Sequence, residues 1–528
     1  RLDDLPGDFA RHEERWKTVL ARLAEQTMPP KNKPRPAASE ARELVEWISA
    51  GLKPAQAERL AKEGRSRLRR LNRVQYAATV RDLLAIDADL SELLPEDGSL
   101  GFDNVDSALH LSPVLLERYL AAADATLDAA IVRGPRPSTV KKRYSYLDEK
   151  AFQGYVAAGK SMLARGDAIV FFNSRNGPPA LGSFKAAAPG RYRFRLSVSA
   201  HQSKEPVTFR VYLGNFLANA GGRSYLAGYF EAPPGKFSVI EVTGTLRKND
   251  TIRIIPYGTG APWFNDGKIA TYTGPGLAVQ WVETEGPLIE SWPPESHRVL
   301  LGDVLPSKGT AEDARRLLAR FLPRAFRRPV PEAEVAPYLK LFRTRQQQGD
   351  SFEQAMRVVY KAVLCSPDFL FFREKPGKLD AHALACRLSY LLWSSMPDRT
   401  LFDLAARGML GDPEVLRGQV ERMLKDAKAA AFTEHFTGQW LSLRDINFTT
   451  PDRNLYPEFD EALQVAMVQE THAFFDEVLK NDLSLLNFVH SDFAMLNERL
   501  ARHYGIPGVK GLHLRKVTLR PEYRRGGV

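Results

Sequence analysis

The chain has 528 residues, 44% of them hydrophobic, with 74 Lys and Arg against 63 Asp and Glu, a formal net charge of +11. That length builds several domains, each able to bury a core. The positive excess is spread out rather than gathered, which argues against a nucleic-acid partner. No apolar run approaches the roughly 18 residues of a membrane span, and two cysteines, Cys365 and Cys386, make neither a disulfide framework nor a paired-cysteine metal site.

In residues 1–60, Glu13–Glu25 sets Trp16, Val19, Leu20 and Leu23 on one helical stripe. Ala38–Ser49 does the same with Leu44, Val45, Trp47 and Ile48. Between them stands Met28-Pro29-Pro30 in a Pro-rich loop. This pattern predicts a helical hairpin, and it resembles the C-terminal half of a class I cytochrome c domain. The resemblance implies that Met28 is the thioether axial ligand of a haem c iron and that an electron-transfer partner exists. Covalent haem needs a C-x-x-C-H motif, which the sequence lacks. Haem is therefore expected only in a longer protein of which this chain is a piece.

Residues 61–138 read as a helical domain. The basic run Arg65–Arg73 has apolar residues at helical spacing and reads as a solvated face. Leu71–Ile86 carries Val74, Tyr76, Val80, Leu83 and Leu84 on one side. The acidic loop that follows fails the calcium pattern, because Glu92 stands where Gly must turn the chain. Ser112–Ile131 has Ser at the N-cap and Pro at the first helical position.

Residues 139–288 change character. Gly154-Tyr-Val-Ala-Ala-Gly-Lys-Ser161 satisfies the phosphate-loop spacing, but no buried strand leads in and no full helix leads out, so nucleotide binding is not the preferred reading. Pro189–Ala200 alternates Tyr192, Phe194, Leu196 and Val198 with Arg193, Arg195, Ser197 and Ser199. Pro206–Asn215, Lys236–Leu246, Asp250–Gly258 and Gly276–Gly286 are further strand candidates, each bounded by turn residues. The block predicts an antiparallel β-sandwich and resembles the jelly-roll modules that bind carbohydrate. That resemblance implies sugar stacking on loop aromatics. Tyr225, Tyr229 and Tyr272 are candidates, and the preferred set is Tyr257, Trp263, Phe264, Asn265 and Asp266.

A Pro-rich linker, 289–308, leads back to helices. Thr310–Leu322, Pro331–Arg345 and Ser351–Cys365 form a helical domain over 309–375. Asp380–Ser394, Asp398–Ala406, Pro413–Leu424, Ala429–Leu443, Pro457–Leu479 and Asn497–Tyr504 predict an all-α bundle over 376–520, with 482–487 and 491–495 as turns. His382 and Cys386 share a helix face at metal-clip spacing, yet no second pair joins them. His435 and His472, the latter four residues before Asp476, are candidates for acid-base chemistry in an enzyme.

The segments "RLNRVQYAATVRDLL" with "LSPVLLERYLAAAD", "LLARFLPRAFRRPVPEAEVAPYLKLF", "LACRLSYLLWSSMPDRTLFDLA" and the closing "RRGGV" (521–528, the start of a further domain) together look like planctomycete-type domains of unknown function. Such domains occur in large exported proteins that begin with a cytochrome c domain. The resemblance implies a periplasmic or otherwise exported protein that binds a glycan or another envelope polymer and acts as a scaffold. The alternative is a redox-coupled or hydrolytic enzyme acting on a polymer, with its site in the helical bundle. The fold class expected is α+β and multidomain, with helical domains flanking the sandwich and an all-α bundle at the C-terminal side.

Overall fold

The structure is a computed structural model. It describes residues 7–527 apart from 10, 25–26, 30–32, 64–68, 87–89, 91–92, 98–101, 104–108, 110, 160, 175–177, 217–222, 261–267, 375–376, 453 and 524–525. In chain order the first stretch holds α1 (Glu13–Ala24), α2 (Ala38–Glu63), β1 (Arg69–Arg70), α3 (Arg73–Leu84) and α4 (Pro113–Ala130). The middle holds β2 (Val140–Ser145), α5 (Lys150–Ala158), β3 (Met162–Arg165), β4 (Ala168–Phe171), β5 (Gly190–His201), β6 (Val207–Gly214), β7 (Ser224–Ala232), β8 (Ser238–Leu246), β9 (Thr251–Pro256) and β10 (Gly276–Gly286). Then follow α6 (Glu295–Leu301), α7 (Ala311–Phe326), α8 (Glu332–Gln347), α9 (Phe352–Leu364), α10 (Pro367–Leu370), β11 (Phe371–Phe372), α11 (Ala381–Leu392), α12 (Arg399–Ala406) and α13 (Pro413–Lys425). The last stretch is α14 (Ala430–Trp440), α15 (Glu461–Lys480), β12 (Phe493–Leu496), α16 (Glu498–His503) and β13 (Arg515–Thr518). The protein is an α+β multidomain chain with antiparallel sheets and a largely helical C-terminal region.

The chain folds as two compact units, each discontinuous in sequence: 1–83 with 88–127 and 304–432, and 84–87 with 128–303 and 433–528. In the first unit, Trp16, Val19, Ile48 and Leu52 close the α1–α2 hairpin. Thr310 and Ser351 each build a reciprocal cap at the starts of α7 and α9, and Asp380, Asp398 and Asp412 cap α11, α12 and α13. Each such cap stabilises its helix by about 1 kcal/mol. Two-residue strands tie distant segments together, Arg69 pairing with Phe372 and Arg70 with Phe371. Arg327 is 3% exposed. Its Nη2 donates to the carbonyls of Phe369 (2.8 Å) and Phe371 (3.2 Å), and the rings of Phe369, Phe372 and Tyr390 surround its guanidinium.

The second unit is built on the sandwich. One sheet runs β3-β4-β10-β5-β8, with β2 on the same edge of β10 as β4; the other runs β7-β6-β9. All pairings between these strands are antiparallel. Tyr192, Phe194, Leu196 and Val198 point into the core with Phe209, Val211, Leu213, Ile252 and Ile254, as their alternation requires. A register shift between Val279 and Trp281 lets Leu277, Val279 and Val282 all face inward and turns Trp281, Glu283 and Glu285 outward.

The structure corrects several expectations. Gly154 lies within α5 and Gly159 is its left-handed C-cap, so the segment presents a helix C-terminus, whose carbonyls repel phosphate; Lys160 lies outside the described residues. Tyr225 and Tyr229 stand on β7 rather than on a loop. The region expected to be all-α contains a β12–β13 ladder, whose Phe493 stacks on Phe474 at 4.9 Å and whose backbone groups pair with each other instead of within a helix.

Candidate functional site

The outward face of the three-stranded sheet carries Arg210 and Tyr212 from β6, Tyr229 and Glu231 from β7, and Tyr257 just past β9. The start of α15 lies against this face. Asp460 caps α15 through the Leu463 amide at 2.9 Å, and Glu461 follows in its first turn, where the helix dipole favours negative charge. Glu461 accepts from Arg210 Nη1 and, at 3.1 and 3.2 Å, from the Tyr212 hydroxyl. Arg499 Nη2 donates to Asp460 at 3.1 Å and to the Glu458 carbonyl. Burial pulls Arg210 toward a lower pKa, but Tyr212 and Glu461 outweigh it and the guanidinium is held above its ordinary value.

Tyr257 and Tyr229 meet edge to face at 5.3 Å. Burial raises both phenols, helped by Glu461 beside Tyr229 and by Asp460 beside Tyr257. The Tyr229 hydroxyl and the Nε atoms of Arg210 and Arg499 are closed to solvent and make no hydrogen bond among the described residues. Glu231 is raised by burial and by Glu498. This face is therefore a polar, aromatic seam, and Tyr257, expected at a sugar-facing loop, spends its ring on packing inside it. Trp263, Phe264, Asn265 and Asp266 lie outside the described residues.

Glu461→Gln is expected to weaken the seam by about 1 kcal/mol, the scale of a half-exposed ion pair, in urea unfolding followed by tyrosine fluorescence.

The opposite, larger sheet presents a different surface. Trp281, Glu283 and Glu285 of β10 stand beside Lys141 and Arg143 of β2, Arg193 and Arg195 of β5, and Glu241 of β8. Glu283 is met by Lys141 at 3.3 Å, Arg143 at 3.2 Å and Arg195 at 3.4 Å; Glu241 by Arg193 at 3.3 Å and Arg195 at 3.2 Å; Glu285 by Arg193 at 3.2 Å. Desolvation pushes the Glu283 carboxyl up, but hydrogen bonds from Lys141 and Arg143 overcome it and hold the group below its ordinary value. The Arg143 guanidinium lies 3.8 Å over the Trp281 ring.

Met28 packs, partly buried, against the Trp16–Val19–Ile48–Leu52 cluster. Covalent haem fits no residues of this chain. Its two thiols lie at the end of α9 and within α11, and burial raises Cys365 to about 11 and Cys386 to about 12. Both are expected to stay unmodified by a thiol reagent at pH 8 and to react once denaturant is added. The stability gained by keeping them neutral falls only as pH climbs past the ordinary thiol range toward those values. Cys386 Sγ donates to the Arg327 carbonyl at 3.8 Å, and His382 packs on Phe402. Among the described residues no group of His, Cys, Asp and Glu could hold a metal ion.

In the helices of the second unit, burial lowers His472, opposed by Glu434 and Asp476. Asp476 itself accepts from Thr433 and Lys480. His435 Nδ1 stands 3.4 Å from Arg444. Among the described residues no helix is long and apolar enough to cross a membrane.

Three segments match families described only as proteins of unknown function: residues 69–132 match PSD3 (DUF1587), 313–374 match PSD5 (DUF1595) and 379–506 match PSD4 (DUF1592). No curated protein matches the chain. Among solved structures, the chain is similar to the CBM22-1–GH10 modules of a Clostridium thermocellum endo-1,4-beta-D-xylanase complexed with xylohexaose, at 10% identity over 35% of this chain and 33% of that chain, with a TM-score of 0.18. It is also similar to a rhamnosidase from Klebsiella oxytoca with rhamnose bound, at 11% identity over 60% of this chain and 73% of that chain, with a TM-score of 0.17. The chain thus spans a third of the xylanase chain, and TM-scores this low establish no shared fold.

Proposed function

We propose that this is an exported, envelope-associated binding and scaffold protein whose β-sandwich holds a glycan or another envelope polymer. The observation that carries the reading is the division of labour between the two sheet faces. The tyrosine-rich face is spent on α15 and the segment around Arg499, which fixes the sandwich to helices of the same unit. The face around Trp281 is left to solvent, with Lys141 and Arg143 more than half exposed.

A polymer would meet Trp281; Trp263, Phe264, Asn265 and Asp266 belong to the same proposal from their sequence pattern alone. The cytochrome c resemblance of residues 1–60 adds haem c, with Met28 as axial ligand, and an electron-transfer partner to the proposal for any longer chain that brings attachment cysteines. A haem stain of that longer chain tests this part on its own.

The experiment for the sandwich is co-sedimentation of the intact chain with insoluble envelope polysaccharide. Trp281→Ala or Trp263→Ala is expected to cut the bound fraction severalfold. Binding unchanged in both, or no binding by the parent chain, overturns the reading. The enzymatic alternative has His472 beside Glu434 and Asp476 as its best support; product release from a polymer that is lost in His472→Ala would favour it.

A further inference from the structure

We propose that the outward face of the larger sheet takes a polyanionic glycan, one bearing uronic carboxylates or sulfate esters; this rests on the polymer-binding reading above. Residues two apart on a strand stand about 6.8 Å from each other on one face, and neighbouring strands lie about 4.8 Å apart. Arg191, Arg193 and Arg195 of β5 therefore form a row, and Lys141 and Arg143 of β2 extend it across β10 into a grid of cations.

The three carboxylates interleaved with these cations, Glu241, Glu283 and Glu285, do not neutralise them; Asp167 stands further along the face, on Gln280. Five cations face three anions, and Arg191, exposed beside Thr245, makes no ion pair among the described residues. The glutamates act instead as internal struts. Glu283, whose side chain is 13% exposed, sits beneath Lys141, Arg143 and Arg195 and holds their long side chains in place while their heads stay open to solvent. Fixing those side chains beforehand removes an ordering cost from binding. Guanidinium groups suit carboxylate and sulfate because their paired N–H groups match two oxygens at once. The Arg143 guanidinium lies over the face of the Trp281 ring, and that stack holds it in place as a cation on this sheet face.

The experiment is affinity electrophoresis of the intact chain in gels containing polygalacturonate, a sulfated galactan, a neutral mannan or duplex DNA. Retardation by one of the two anionic glycans is expected, the stronger arm naming carboxylate or sulfate, and it should vanish as salt rises toward 1 M, where screening acts within about 3 Å. The double variant Lys141→Ser/Arg191→Ser, both positions being exposed, should keep the parent's thermal unfolding and bind about tenfold more weakly, the factor that 1.4 kcal/mol of binding energy represents. Equal retardation by DNA, or no loss in the double variant, overturns the proposal. Retardation by mannan alone that Trp281→Ala removes would sink the anionic class and leave polymer binding standing. Retardation by none of the polymers sinks both.

Discussion

Arg70→Ala is expected to destabilise the first unit by about 3–5 kcal/mol, the cost of leaving a buried charge without its partner. Arg70 is 2% exposed. Its Nη1 donates to the Tyr119 hydroxyl at 2.6 Å and to the Leu71 carbonyl at 2.7 Å, and its Nη2 to Asp97 at 2.6 Å. Asp97, 9% exposed, also accepts from the Arg73 amide, so it stays in place when the guanidinium is gone. Urea unfolding followed by far-UV circular dichroism measures the loss. Arg70→Lys should recover only part of it, since an ammonium cannot supply the same planar fork of donors. A loss under about 1 kcal/mol would show that the pair is solvated rather than buried. Arg70 opens the "RLNR" motif of a segment matched only to a family of unknown function, and its contacts give that motif a structural explanation.

Gly214→Ala is expected to cost at least about 3 kcal/mol and to lower sandwich yield on expression. Gly214 has a φ of +138°, and a Cβ there would stand 2.2 Å from the Arg223 carbonyl oxygen and 2.6 Å from the Ser224 Cα. Both obstacles are backbone at the start of the facing strand and cannot swing away. Gly154→Ala is the control: it lies inside α5 with nothing within 4 Å of its Cβ, and should stabilise by about 0.5–1 kcal/mol. Thermal unfolding of the two variants side by side checks the contrast.

β5 was legible in the sequence because one of its faces meets only apolar core while the other carries arginines that reach solvent and serines, Ser197 and Ser199, that are buried but polar, which keeps the alternation strict. The helices from Thr310 onward were legible for a similar reason, since their caps and three-and-four spacing are local. β7 was not. Its outward Tyr229 packs edge to face on Tyr257 instead of meeting solvent, so Tyr225-Leu-Ala-Gly-Tyr-Phe230 shows no polar face. The seam was hidden by distance, for nothing local in Arg210 announces a partner 251 residues away. The larger sheet's cations were visible as the polar half of an alternation, but that they share a face with Lys141 and Arg143 follows only from the pairing of β2 with β10. Residues 491–495 read as a turn because a strand of four residues, Phe493–Leu496, is too short to display a period.

The same 251-residue separation sets the order of events at the ribosome. The sandwich strands emerge long before the helix that will cover their tyrosines, and at ordinary elongation rates the interval is roughly 10–50 s. During that time a nascent chain carries an uncovered aromatic sheet face, a natural foothold for holdase chaperones. Premature termination anywhere between β10 and α15 would release the sandwich strands without the helix that covers that face.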